Sequence, residues 1–270
     1  MTTQWIIDTM EEWAPAKWAM ESDNVGLIVG DRSRPVSRVL TALDLSEDVL
    51  REAVQGRFDF IVTHHPLISR HTMPIKSITA DNAIGKKIMT LIANGIGLFS
   101  AHTNLDSAPG GVNDLLLNII GLVDSEPLVE PAESGFPNLG RIGYLQDMMN
   151  LADFAGHVAR ALSMEHIRYV GAADMQVRKI GLCGGNGTSL INIALEKKCD
   201  VFITGDISYH LAIDTSEAKM ALIDGTHYAT EIPIAGAIAD YLKKMAVRQG
   251  FDIAVQSYTS LRPWSYASRF

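Results

Sequence analysis

The chain has 270 residues, 47% of them hydrophobic, which is enough to bury a sizeable core in one large domain or two intimate lobes. A formal net charge of −8 argues against coating nucleic acid or an anionic membrane, so neither is expected as a partner. Two cysteines, no apolar run of the ~18–20 residues that spans a bilayer, and an N-terminus interrupted by Asp8, Glu11 and Glu12 predict a cytoplasmic protein without a disulfide framework.

In chain order, strands are predicted at 39–45 and 60–63, a helix over 82–93, a strand at 97–101 and a helix over 112–120. The segment 124–138, with Pro127, Pro131, Gly135 and Pro137, reads as the lobe boundary. It separates an N-terminal lobe, 1–130, from a C-terminal lobe, 131–270. Beyond it come a strand at 141–145, a helix over 151–162, strands at 167–170 and 179–183, a helix over 188–197, and strands at 201–204 and 221–223. Short β-branched runs alternating with amphipathic stretches predict an α/β fold: two similar lobes with mixed sheets flanked by helices.

The chain also echoes itself. Asp59-Phe60-Ile61-Val62-Thr63-His64-His65 resembles Asp200-Val201-Phe202-Ile203-Thr204-Gly205-Asp206 without a gap, and helical patterns with Ala53 and Ala194 at the same offset precede them. Leu98-Phe99-Ser100-Ala101-His102-Thr103 matches Leu222-Ile223-Asp224-Gly225-Thr226-His227 less well. Either two α/β units share the pattern by chance, or a unit is duplicated and a site built from equivalent strand ends lies between the lobes.

Three strand ends carry the chemistry. His64 and His65 follow the apolar run Phe60-Ile61-Val62 and precede Pro66, which ends the strand; such a position reaches the crevice where α/β sheets bind ligands. A histidine pair that only caps the strand is the alternative. Asp106 ends Ala101-His102-Thr103-Asn104-Leu105-Asp106 and is a carboxylate able to bridge two cations, or one that merely initiates the next turn. His227 and Glu231, four apart after the strand at 221–223, share a helix face; Glu231 could equally be an ordinary first-turn carboxylate.

Taken together, these ends offer three imidazoles and two carboxylates, a set suited to two Zn, Fe, Mn or Co ions and leaving positions open for water. His102 fits a hydrogen-bond donor behind the ligands, a proton shuttle or a packed strand-end residue. Asp206 fits a carboxylate that orients a ligand histidine, or simple turn chemistry. Gly184-Gly185-Asn186-Gly187-Thr188 could cradle a phosphate on its amides, or form a tight turn with Thr188 as helix cap. Arg32, Arg34 and Arg38 could attract a triphosphate, with a solvated turn as the default. Cys183 and Cys199 read as buried packing.

These motifs resemble the GTP cyclohydrolase I type 2 homologue family, the NGG-interacting-factor-like dinuclear metal proteins. The resemblance runs from Asp23-Asn24-Val25-Gly26 nearly to the C-terminal tail, most specifically through Thr63-His64-His65-Pro66-Leu67, Ala101 to Asp106, Ile203-Thr204-Gly205-Asp206 and Asp224 to Glu231. It implies His64, His65, Asp106, His227 and Glu231 as ligands of two divalent ions, and a two-lobed subunit in a hexameric ring. Ser22, where the family usually has Trp, and Asn186, where Ser is more usual, depart from the pattern without touching those ligands.

The expected function is a dinuclear metal-dependent hydrolase of a nucleotide or related heterocycle. GTP is the candidate small-molecule substrate, opened at C8 by metal-activated hydroxide with release of formate. The alternative is a regulatory or interaction protein that handles metal without dedicated turnover.

Overall fold

A computed structural model describes residues 1–69, 75, 77–129, 138–259 and 264. In chain order, α1 (Thr3–Trp13), β1 (Gly26–Val29), β2 (Arg38–Ala42), α2 (Glu47–Gln55), β3 (Phe60–Thr63), α3 (Ala83–Asn94) and β4 (Gly97–Ser100) come first. Next are α4 (Thr103–Ser107), α5 (Val112–Ile120), β5 (Val123–Pro127), β6 (Arg141–Asn150), α6 (Leu151–Ala161), β7 (Arg168–Val170) and β8 (Gln176–Leu182). Then follow α7 (Ile191–Glu196), β9 (Val201–Thr204), α8 (Tyr209–Glu217), β10 (Ala221–Asp224), α9 (His227–Glu231), α10 (Pro233–Arg248) and β11 (Ala254–Ser257).

The fold is α/β, with two sheets flanked by helices. The chain forms two compact units: Met1–Thr9, Asn24–Ala101 and Ala235–Phe270 make the first, Met10–Asp23 and His102–Ile234 the second. The boundary expected at 130–131 lies outside the described residues. In sequence the units interleave, because β11 comes back to pair in parallel with β2, Ala254 opposite Arg38.

The first unit holds a five-stranded sheet in the order β1-β4-β3-β2-β11, antiparallel only between β1 and β4. Every residue of β3 and β4 is buried, as parallel strands covered on both faces require. Val49, Leu50 and Ala53 of α2 and Leu91 of α3 pack with Leu40, Ile61 and Leu98 of the sheet. Asn82 caps α3 by accepting from the Gly85 amide at 2.8 Å, and Gly95, at φ 65°, ends it.

The second unit holds a six-stranded sheet, β5-β6-β8-β9-β10-β7, parallel through β8, β9 and β10 and antiparallel elsewhere. Phe154 and Val158 of α6 pack with Ile180, Val201, Ile203 and Ile223, while Ile191 and Ala194 of α7 pack with Phe202 and Leu222. Strand β6 runs well past the expected 141–145, and β5 occupies part of the stretch expected to be least ordered.

Within each unit the sequence echo has a structural counterpart. Asp59 Oδ2 accepts from the Ser37 and Arg38 amides at 2.8 and 2.9 Å; Asp200 Oδ2 accepts from the Arg178 and Lys179 amides, both at 2.8 Å. Phe58 donates its amide to the Ala53 carbonyl and Cys199 donates to Ala194. The residues just before, Arg57 and Lys198, both adopt positive φ, 52° and 56°. Two shared alanines, two shared aspartates and two equivalent left-handed turns favour duplication over a chance pattern.

Candidate metal centre

Among the described residues, the His and carboxylate side chains able to hold a metal ion are His64 and His65 in the first unit and His102, Asp106, His227 and Glu231 in the second. Their fitness for an ion rests on how each side chain is held.

In the first unit, backbone pairing continues past β3. The His64 and His65 amides donate to the Ala42 and Leu43 carbonyls at 3.2 and 2.9 Å, which fixes the direction of the histidine pair. His64 is fully buried and its Nδ1–H donates to the Ala101 carbonyl at 2.8 Å. A carbonyl can only accept, so the ring carries its proton on Nδ1 and Nε2 is the basic atom. His65 Nδ1 lies 2.8 Å from Asp44 Oδ1, which sets the same tautomer. Nothing in the sequence pattern singles out Asp44; only the parallel pairing of β2 with β3 brings it to His65.

In the second unit, His227 opens α9. Its Nδ1 lies 2.8 Å from Asp206 Oδ2 and its Nε2 3.1 Å from Glu231 Oε2. Two donors bound to one ion at ~2.1 Å and tetrahedral angles sit roughly 3.4 Å apart, so this pair already has a chelating spacing. Asp206 thus stands at hydrogen-bond distance from the ring of His227.

Thr226, a β-branched residue at φ 58°, caps α9 by accepting from the Ala229 amide at 3.2 Å. That backbone conformation costs energy for such a residue and is retained where it aims His227. Behind it, Asp224 accepts from the Thr226 amide at 3.0 Å and pairs with Arg168.

Glycines make room for this group. A Cβ on Gly185, which sits at φ 60°, would lie 2.0 Å from Glu231 Oε1 and 3.2 Å from His227 Nε2. A Cβ on Gly205 would lie 2.4 Å from the His227 amide nitrogen.

The glycine loop is thus a cradle for the His227–Glu231 pair, and four of its five amides are already engaged. Gly184 donates to Asn113 Oδ1 at 3.0 Å, Gly185 to Thr230 Oγ1 at 3.0 Å, Gly187 to Thr204 Oγ1 at 2.8 Å and Thr188 to Asn186 Oδ1 at 3.3 Å. The tight-turn reading holds and the phosphate-cradle reading does not. Thr188 caps no helix; its hydroxyl bonds Asn186.

Asp106 lies on α4, where the Asn113 side-chain amide donates to its carbonyl at 2.9 Å. Because Asn113 also accepts from Gly184, it ties the Asp106 segment to the glycine loop, a link no spacing announces. Burial, reinforced by the charges of Asp106 and Glu231, pushes the Cys183 thiol far above its ordinary range. No cysteine falls in the groups able to hold a metal ion among the described residues, so their donors are nitrogen and oxygen.

His102 is held like the others, with Nδ1 2.9 Å from both oxygens of Asp23. Arg32, Arg34 and Arg38 are exposed, and each has a local contact: Arg32 bonds Gln4, Arg34 packs at Gly95, and Arg38 bonds the Gly56 carbonyl while stacking on Phe58. Neither cysteine is in a disulfide, and both are buried.

Comparison with known proteins adds a lineage to this geometry. The model of the Duf34/NIF3 (NGG1p interacting factor 3) family matches residues 1–261. The chain belongs to that family. Curated Duf34/NIF3 relatives carry the name "GTP cyclohydrolase 1 type 2 homolog". The one from Clostridium acetobutylicum is 34% identical over 266 residues, 97% of each chain, and that of Streptomyces coelicolor is 35% identical over 96% of this chain and 92% of its own. Among solved structures, a Bacillus cereus protein related to NIF3 superposes with a TM-score of 0.91 at 28% identity, covering 99% of both chains. In this Duf34/NIF3 chain Ser22 is exposed, and the Asn186 side chain accepts from the Thr188 amide and hydroxyl.

Proposed function

We propose that this chain is a metal-dependent hydrolase of a nucleotide or related heterocycle, with opening of the guanine ring of GTP at C8 and release of formate as the candidate reaction. In this reading His64, His65, Asp106, His227 and Glu231 hold two divalent ions from among Zn, Fe, Mn and Co. The observation that carries it is the common anchoring of the three imidazoles: each is held through Nδ1, so each presents Nε2 as its basic atom. Ions of this kind supply Lewis acidity and lower the pKa of water, the chemistry that hydrolysis needs.

The chain's own residues do the positioning. Asp44 and Asp206 fix the rings of His65 and His227, and Gly185 leaves the space that Glu231 fills. The relatives' name supports GTP as the first substrate to try. A homo-oligomer, a hexameric ring, belongs to the same reading through the family resemblance, and a cytoplasmic setting through the low cysteine content. Among the described residues no helix is long and apolar enough to cross a membrane.

The test is formate release from GTP by the metal-reconstituted chain. Release that is abolished by a chelator and by Glu231→Gln is expected. A folded, metal-loaded chain that releases no formate would move the protein to the metal-handling role instead.

A further inference from the structure

Strands β8, β9 and β10 of the second unit run parallel, so their C-terminal ends lie at one edge of the sheet. In α/β sheets that edge is where ligands bind. The glycine loop, Asp206 and His227 all follow directly from those ends. So does α8, which opens at Tyr209 after β9 has ended at Thr204.

The start of α8 is fixed in place. Ser208 caps it by accepting from the Leu211 amide at 3.4 Å, and Ile207 and Leu211 pack against the core that holds Phe202 and Leu222. Between these anchors Tyr209 and His210 project outward. Tyr209 is 74% exposed, His210 is exposed too, and their rings meet edge to face, with centroids 5.4 Å apart and planes at 75°. Neither the Tyr209 hydroxyl nor the His210 ring hydrogen-bonds any of the described residues.

Two rings set at 75° make a corner. A planar group stacked on the face of one meets the edge of the other, and both edges carry hydrogen-bonding atoms, the phenol oxygen and the imidazole nitrogens. An aliphatic group would use the faces and leave those atoms idle, whereas a nucleobase uses both. Along α8 the exposed apolar surface continues only to Ile213, at 39%, far less than a protein partner needs. The corner also stands close to the candidate metal centre. Asp206, whose carboxylate lies 2.8 Å from His227 Nδ1, comes three residues before Tyr209, so their Cα atoms are no more than roughly 11 Å apart.

We infer that Tyr209 and His210 form a stacking corner that seats the planar heteroaromatic ring of the substrate. The inference rests on the heterocycle reading above and gives that reading a binding element made by this chain alone. Tyr209 supplies most of the contact through its face, and His210 fixes the ring through its edge.

The test titrates zinc-reconstituted wild type, Tyr209→Ala, Tyr209→Phe and His210→Ala with 7-deaza-GTP, which keeps the planar base but has carbon in place of the nitrogen whose bond to C8 would be cut. Inorganic triphosphate, which has no base, is the second probe, and formate release from GTP is read on the same wild-type preparation. Tyr209→Ala is expected to bind 7-deaza-GTP about 5–150-fold more weakly and inorganic triphosphate as wild type does. Tyr209→Phe, which keeps the face, stays within about twofold of wild type, and His210→Ala loses about 2–10-fold. The ring-current shift of the 7-deazaguanine protons seen with wild type disappears in Tyr209→Ala. Both positions are exposed, so the variants fold, as circular dichroism would check.

Tyr209→Ala that binds 7-deaza-GTP as tightly as wild type, or loses inorganic triphosphate to the same extent, overturns the stacking corner. So does a Tyr209→Ala chain whose oligomeric state changes while its nucleotide binding does not, which would make this face a contact between copies. Wild type that binds no 7-deaza-GTP overturns the inference as well. In each case formate release by wild type decides the hydrolase reading separately.

Discussion

Gly185 carries a constraint that can be tested alone. Alanine there would place a Cβ 2.0 Å from Glu231 Oε1 and strain a backbone at φ 60°, a conformation costing about 1–2 kcal/mol for an L-residue. Gly185→Ala is expected to stay folded, melt a few degrees lower and lose metal, read by thermal denaturation beside elemental analysis. Normal metal content in that variant would remove the cradle from the account. Asp206 acts one bond further out: Asp206→Ala leaves His227 Nδ1 without its carboxylate and should weaken metal affinity by about 10–100-fold in a chelator competition titration.

Asp23 gives a pH dependence with a definite sign. Burial alone would raise its carboxyl, but the hydrogen bonds and charge of His102, with the Thr103 hydroxyl and amide, bring it down from 3.8 to about 2. A group depressed on folding stabilises the chain fully above its unfolded value and loses that contribution as pH falls from 3.8 towards 2, on the order of 2 kcal/mol. Asp23→Asn should flatten that part of the stability–pH curve, measured by urea unfolding at stepped pH. A curve of unchanged slope would contradict the assignment.

At the scale of elements, the paired aspartates make the duplication testable. Asp59 and Asp200 each tie the start of one strand to the amides of its neighbour, so alanine at either should cost about 1–3 kcal/mol in urea unfolding. A neutral result at one of them would mean that the shared motif is not a shared structural device. The strands the sequence made legible are the central ones: β3 and β9 fall on the residues expected, because a parallel strand buried on both faces is an unbroken apolar run.

Edges were not legible in the same way. Strand β5, Val-Asp-Ser-Glu-Pro, is mostly exposed and polar, and β1 is half-buried, so neither carries a continuous apolar signature. Helix α10 starts at Pro233 and passes through Gly236, residues that read as punctuation when no packing is visible. The strand-end histidines and carboxylates stood out by residue type. Asp44, Asp23 and Asn113 did not, because each reaches its partner only through tertiary pairing.

At the scale of the whole molecule, the interleaving of the two units was not legible in the sequence. The pairing of β11 with β2 joins residues more than two hundred positions apart, and no local pattern encodes it. Removing β11 should therefore act on the opposite end of the chain. Disrupting it with Ala254→Pro, which deletes the amide that donates to the Ser37 carbonyl, should cost about 1–3 kcal/mol and be read as a lower unfolding midpoint. Near-wild-type stability in that variant would put β11 outside the cooperative core.

In the proposed reading, five side chains of this Duf34/NIF3 protein bind two divalent ions. The most direct measurement is elemental analysis of the freshly purified and reconstituted chain, compared with His65→Ala and Glu231→Gln. The account predicts close to two ions per wild-type chain and a clear loss in both variants while their circular dichroism stays native. A folded wild type that carries no metal and takes none up on reconstitution would contradict it.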